Sequence, residues 1–285
     1  MKRFIILLLS MFILTATLAG LTSCKDEEEE QGLIIAVTIM PEKAFAEAVC
    51  GDLATVVVAV PQGFSPETYE PDPMEIEQLS KASVYFSMGL PEEEDTILNK
   101  LDDIEIVMLD EAVRNVYADI EFEPGSRDPH IWLSPRRVVV MVQAIADKMA
   151  LIDPANAATY LNNATDYIFE LNGLDSDVAT LFNGKENKSF ITYHPAYGYL
   201  AEDYGLTMYS LEEEGKEATA QHIQDIIDIA LLQGISVIFT NAETDGTQAE
   251  AFAEEISGSK VTLAPLSYDY ISNYRAMAQA IADAL

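Results

Sequence analysis

From Leu33 onward the chain alternates short runs of β-branched and aliphatic residues with stretches whose apolar positions recur every three or four residues. LIIAVTI (33–39) and TVVVAV (55–60) read as strands, and Pro41 to Cys50 between them reads as a helix. A loop from Pro61 to Pro71 leads to a helix over about 73–82, the strand SVYFSM (83–88), a helix around 92–101 and the strand IEIVML (104–109). Strand–helix–strand repetition predicts a parallel sheet with covering helices. An irregular acidic stretch follows, then a helix from Pro135 to Leu151.

A second helix begins at Pro154, which suits a helical first turn, and runs to about Phe182 with apolar residues at Tyr160, Ile168, Leu171, Leu174, Val178 and Leu181. At roughly 29 residues it would be about 43 Å long, enough to bridge two lobes. The alternation then resumes: SFITY (189–193), a helix at 195–204, LTMYS (206–210), a helix at 219–233, ISVIFT (235–240), a helix at 247–257, KVTLA (260–264) and a C-terminal helix from about Ser272. The pattern predicts an α/β protein of two parallel-sheet α/β lobes joined by one long backbone helix. The lobes are expected at 33–152 and 184–285, with the linking helix at 153–183. In open parallel sheets ligands gather outside the carboxyl ends of the strands, so candidate ligands belong just after them.

The first residues carry a different pattern. Lys2 and Arg3 precede an almost unbroken apolar run from Phe4 to Leu18, and Leu21-Thr22-Ser23-Cys24 follows directly. That is the order of a secretory signal, and the run is short for a membrane-spanning helix. The LTSC tetrapeptide resembles the lipobox of bacterial lipoproteins, which implies a signal peptide over 1–23 and lipidation of Cys24. Residues 24–32, rich in consecutive carboxylates, read as an acidic tether. The chain is therefore expected to be extracytoplasmic, anchored by lipid to the periplasmic or cell-surface face of a membrane.

Forty-eight acidic against 16 basic residues give a formal charge of −32, which argues against a nucleic-acid partner. Cys50 is the only cysteine besides Cys24, so neither an internal disulfide nor a multi-cysteine metal site is available once Cys24 is acylated.

Two of the three histidines fall in probable loops, His130 in RDPHIWLSP and His194 in ITYHPAYGYL, whereas His222 near a helix start reads as surface. Neutral imidazole is the commonest protein donor to borderline transition metals. Glu67 and Glu70 lie in the first long loop and Asp269 follows the last strand, so carboxylates from both ends of the chain could complete a site with the histidines. Taken singly, each histidine could equally be a satisfied side chain at a lobe interface, and loop carboxylates in so acidic a chain are ordinarily solvated. Two histidines with carboxylates can also hold a catalytic zinc. However, the chain has neither an HExxH run nor a G-x-S-x-G elbow, and no enzyme is expected.

Several segments together resemble the zinc/manganese solute-binding proteins of ABC transporters. GDLATVVVAVPQGFSPETYEPDPMEIEQLSKASVYFSMGLPEEE is similar to the family's opening lobe, DPHIWLSP to its DPHxWLDP segment, and TYHPAYGYLAEDYGL to its second histidine segment. EEEGKEATAQHIQDII and APLSYDYISNYRAMAQAIADAL resemble later segments in the same order. The resemblance implies a monomeric receptor that captures Zn2+ or Mn2+ between two lobes and delivers it to an ABC-transporter membrane permease. Position by position it makes Glu67, His130, His194 and Asp269 the metal ligands, with Glu70 a loop-stabilising acceptor. Three departures stand out: Glu67 occupies the family's first histidine position, Asn241 stands where many relatives carry Glu, and residues 110–129 lack a His-rich insert. The alternatives are a degenerate member acting as a surface adhesion lipoprotein and a metallohydrolase.

Overall fold

The β-branched runs pair in parallel in a computed structural model that describes residues 32–212, 218–244 and 246–285. The signal segment, Cys24 and the tether except Gly32 lie outside these residues. In the first sheet β1 (Leu33–Val37) runs between β2 (Ala54–Val58) and β3 (Val84–Ser87), with β4 (Glu105–Met108) beside β3. Its helices are α1 (Met40–Cys50), α2 (Pro73–Leu79), α3 (Glu93–Thr96) and α4 (Leu109–Arg114). A two-stranded antiparallel ribbon, β5 (Glu121–Glu123) with β6 (Ser126–Arg127), leads out of this lobe.

Two long helices follow, α5 (Pro135–Ile152) and α6 (Ala157–Phe182). Ser134 caps α5 by accepting from the Arg137 backbone N–H, and Pro135 occupies a first-turn position where no amide donor is needed. The second sheet has the order β10-β9-β7-β8, from β7 (Ser189–Thr192), β8 (Thr207–Ser210), β9 (Val237–Asn241) and β10 (Ser259–Leu263). It carries α7 (Gly198–Tyr204), α8 (Ala220–Gln233), α9 (Thr247–Glu255) and α10 (Tyr270–Ala284).

One apolar core runs through both lobes. Tyr160, Ala164, Leu171, Leu174, Val178 and Phe182 of α6 belong to the same buried cluster as Ile35 and Phe86 of the first sheet and Phe190 and Phe239 of the second. Leu33–Leu285 accordingly forms a single compact unit. The 26 residues of α6 span about 39 Å.

The structure alters three local expectations. Pro154 opens a separate 3-10 turn, Pro154–Asn156, where the Asp153 carboxylate accepts from Asn156 and Tyr160. The helix expected at 92–101 breaks at Ile97, whose buried side chain turns into a small core with Leu79 and Leu101. The stretch after β4 is also less irregular than its acidity suggests, since it holds α4 and the ribbon.

Candidate metal centre

The segment after β6 places the first histidine. Asp128 is fully buried, and its Oδ1 accepts from the His130 backbone N–H at 2.9 Å and pairs with His130 Nδ1 at 2.8 Å. Beyond it, Ile131–Leu133 forms a buried 3-10 turn that is fastened to the second lobe. The Trp132 indole donates to the Pro265 carbonyl at 3.0 Å, and the hydroxyls of Tyr270 and Tyr274 donate to the carbonyls of Trp132 and Leu133. Gly198 at the start of α7 leaves room for Asp128, because a Cβ there would lie 2.5 Å from Asp128 Oδ2.

His194 stands two residues beyond β7, at the carboxyl end of a strand flanked by β8 on one side and β9 on the other. This is the switch point at which open α/β sheets hold ligands. Its Nδ1 pairs at 2.7 Å with Oε2 of Glu212, a residue placed just past β8 by a backbone bond to the Tyr193 carbonyl. Each imidazole thus commits Nδ1 to a carboxylate, an arrangement that fixes ring orientation and raises the basicity of Nε2. The two Nε2 atoms face each other at 3.1 Å, and both residues are only 6 % exposed.

Glu67 comes from the loop after β2, whose turn is set by the Thr68 and Tyr69 amides donating to the Ser65 carbonyl. Its Oε1 lies 3.0 Å from His194 Nε2. Ligand atoms of Glu67, His130 and His194 all lie within 4.8 Å of one another, the only such convergence of His, Cys, Asp and Glu among the described residues. Around a tetrahedral zinc with bonds near 2.0–2.1 Å, neighbouring donors would be about 3.3 Å apart. The two measured separations are therefore close to what an ion requires.

Without a metal, a proton links these groups. Burial works to lower the His194 pKa, but hydrogen bonds to Glu212 and Glu67, together with their charges, outweigh it and raise it to about 9. Burial likewise works to raise Glu67, yet the hydrogen bond to His194 and the charges of both histidines hold its carboxyl below the ordinary range. An imidazolium between two carboxylates is the positive charge that a divalent ion would replace.

Asp269 does not join the cluster. It is exposed at the N-cap of α10, while the next residue, Tyr270, turns inward to reach the Trp132 carbonyl. After β10 the residues that line the space beside the donors are Pro265 and Leu266. Glu70 pairs with Lys100 at 3.1 Å and remains exposed. Asn241 accepts from the Tyr197 hydroxyl at 2.7 Å and lines the same small space, of about 30 Å3, as the three donors. His222 is not simply surface, since its Nε2 bonds the Ser210 carbonyl at 2.9 Å. Asp128 and Glu212, which orient the rings, were not singled out from the sequence. The available signal was position: Asp128 two residues before one histidine, and Glu212 at the carboxyl end of a strand.

The sequence profile of the family described as zinc-uptake complex component A, periplasmic, matches residues 35–284. The chain belongs to this family. Among its relatives, the zinc-binding protein AdcA of Streptococcus pyogenes serotype M1 is 26% identical over 291 residues, covering 93% of this chain and 56% of AdcA. The chain thus spans about half the length of the AdcA proteins it matches. The high-affinity zinc uptake system protein ZnuA of Bacillus subtilis is also 26% identical, over 88% of this chain and 84% of that protein. A crystal structure of ZnuA superimposes with a TM-score of 0.83 at 33% identity, covering 89% of this chain and 99% of that one. The family likeness confirms the two-lobed α/β architecture and the helix between the lobes.

Proposed function

We propose that this chain is the metal receptor of an uptake system, with Zn2+ as its cargo and Glu67, His130 and His194 as the ligands. The observation that carries the proposal is the meeting of His130 Nε2, His194 Nε2 and a Glu67 oxygen, with each ring backed by a carboxylate on Nδ1. Two nitrogens and one oxygen suit zinc, and three protein donors leave a fourth position for water. Glu67 carries the one negative charge among the ligands, so the bound ion keeps a net charge of about +1 that Asp128 and Glu212 offset from behind the rings. Membership of a zinc-uptake family supports delivery to the membrane permease of an ABC importer, with no chemical conversion of the cargo. Lipidation at Cys24 would hold this monomeric receptor at the outer side of the membrane, where the permease takes up its ion.

Mn2+ is the competing cargo. The Glu67 oxygen in place of a third nitrogen makes the donor set harder, while the affinity order of divalent ions at a nitrogen–oxygen site runs toward zinc. Calorimetric titration with each ion tests the proposal: saturable one-to-one binding, tighter for Zn2+, is expected. Failure of both ions to bind saturably would refute it.

A further inference from the structure

A cavity of about 390 Å3 adjoins the three donors, and an ion that approaches across it shares the space with a further carboxylate, Glu92. Two consecutive acidic residues take opposite roles there. Glu93 turns into the lobe, 2 % exposed, where its Oε2 accepts the Leu90 backbone N–H at 2.6 Å and its Oε1 meets the Thr38 and Tyr85 hydroxyls. This anchor, with the fixed φ of Pro91, pins the Leu90–Glu92 segment against the cavity. Glu92 remains at the cavity wall, where its carboxylate reaches its own backbone N–H and its carbonyl accepts from the Thr96 amide and hydroxyl.

Glu92 lines the same cavity as Glu67, His130 and His194. Burial raises its carboxyl, the charge of Glu67 adds to that rise and the charge of His130 opposes it. Arg127, the cavity's one lysine or arginine, has its guanidinium tied to the Gly89 carbonyl and lies 3.4 Å from Asp110, which takes up part of its charge. Glu92 and Glu67 are the two carboxylates on the wall of this cavity. Acid-lined clefts concentrate cations and raise association rates by about 10- to 1,000-fold.

Resting on the reading of this centre as a metal receptor, we propose that Glu92 is its reception carboxylate. It draws the hydrated divalent cation into the cavity and holds it through water beside Glu67, before His130 and His194 replace that water. Glu92 is not one of the three converging ligands, so it acts on arrival rather than on the bound state.

Stopped-flow mixing of the protein with Zn2+, at low salt and at about 0.5 M NaCl where charges are screened within a few ångströms, separates the two roles. Glu92→Gln is expected to slow association about three- to tenfold at low salt, and Glu92→Lys more, with the differences closing at high salt. The dissociation rate and the visible spectrum of the Co2+-loaded protein should stay as in the wild type. Glu254→Gln, which removes an exposed charge from α9, should change nothing. Wild-type association rates in both Glu92 variants would overturn the inference, as would a changed Co2+ spectrum, which would make Glu92 a ligand. Absence of saturable Zn2+ binding by the wild type would instead refute the receptor reading itself.

Discussion

His130 and His194 point their Nε2 atoms at each other across 3.1 Å, although one ring is held by the segment before α5 and the other by the end of β7. Neither ring can turn away without losing its Nδ1 contact to Asp128 or Glu212. Replacing either histidine with Ala should therefore weaken Zn2+ binding by well over the 10- to 100-fold typical of outer contacts. Asp269→Asn should leave it within about twofold, the usual reach of a distant surface charge. Competition with a chromogenic chelator measures all three, and a large loss in Asp269→Asn would restore that residue to the site.

The carboxylates behind the rings are open to the same measurement. Asp128→Asn and Glu212→Gln should each cost about 10- to 100-fold in zinc affinity, because an amide can present the wrong group to Nδ1 and does not balance the ion's charge. Gly198→Ala should act through Asp128, since the added methyl would lie 2.5 Å from Asp128 Oδ2 and force it to move. Circular dichroism with an unchanged melting profile would show that a lost affinity belongs to the site.

Glu67 sets the hardness of the donor set. Glu67→His would supply a third nitrogen and should raise the preference for Zn2+ over Mn2+ by about tenfold or more, mainly by weakening Mn2+. Parallel titrations of both ions measure the ratio. An unchanged ratio would mean that Glu67 does not touch the ion.

Metal binding must also displace the proton held by His194, whose pKa is raised to about 9. Zinc affinity should therefore rise about tenfold per pH unit from pH 7 toward 9 and then level off. Stability of the metal-free protein carries the opposite sign. With the folded pKa above the unfolded value near 6.5, the His194 contribution is complete below about pH 6.5 and is lost as pH rises through about 9. Affinity that is flat between pH 7 and 9 would contradict the proton bridge.

A separate pH effect belongs to the first lobe. Glu42 is fully buried, and desolvation, with Glu93 nearby, raises its carboxyl well above the ordinary range despite the Thr38 and Ile39 amides it accepts. A raised carboxyl costs stability once the unfolded chain can ionise, so the penalty grows as pH climbs above about 4.5. Glu42→Gln keeps an acceptor without the charge and should raise the melting temperature more at pH 8 than at pH 5. A gain of about 2–4 °C corresponds to each kcal/mol recovered.

Much of this was legible from the chain. The β-branched runs lie on or within a residue or two of β1–β4 and β7–β10, and Leu171, Leu174 and Val178 mark the inner face of α6. Both histidines were visible because imidazoles are scarce here. Glu212 was hidden for the opposite reason: in a chain with 48 acidic residues, nothing local separates a ring-orienting carboxylate from a solvated one. Asp269 shows a different limit, since within Tyr268-Asp269-Tyr270 only tertiary packing decides which neighbour turns inward. Here the Tyr270 hydroxyl, bonded to the Trp132 carbonyl, takes that place.

On the metal-receptor proposal, the bond from Trp132 to the Pro265 carbonyl bears on how a loaded state would be recognised. With the His130 segment bolted to the second lobe and a single core running through both, the histidines form a preset half-socket that needs no hinge swing to assemble. Occupancy would then register mainly at the Glu67 loop, the one arm of the socket with solvent on its outer side. A permease that distinguishes full from empty would be reading a loop of a few residues rather than the shape of the whole molecule.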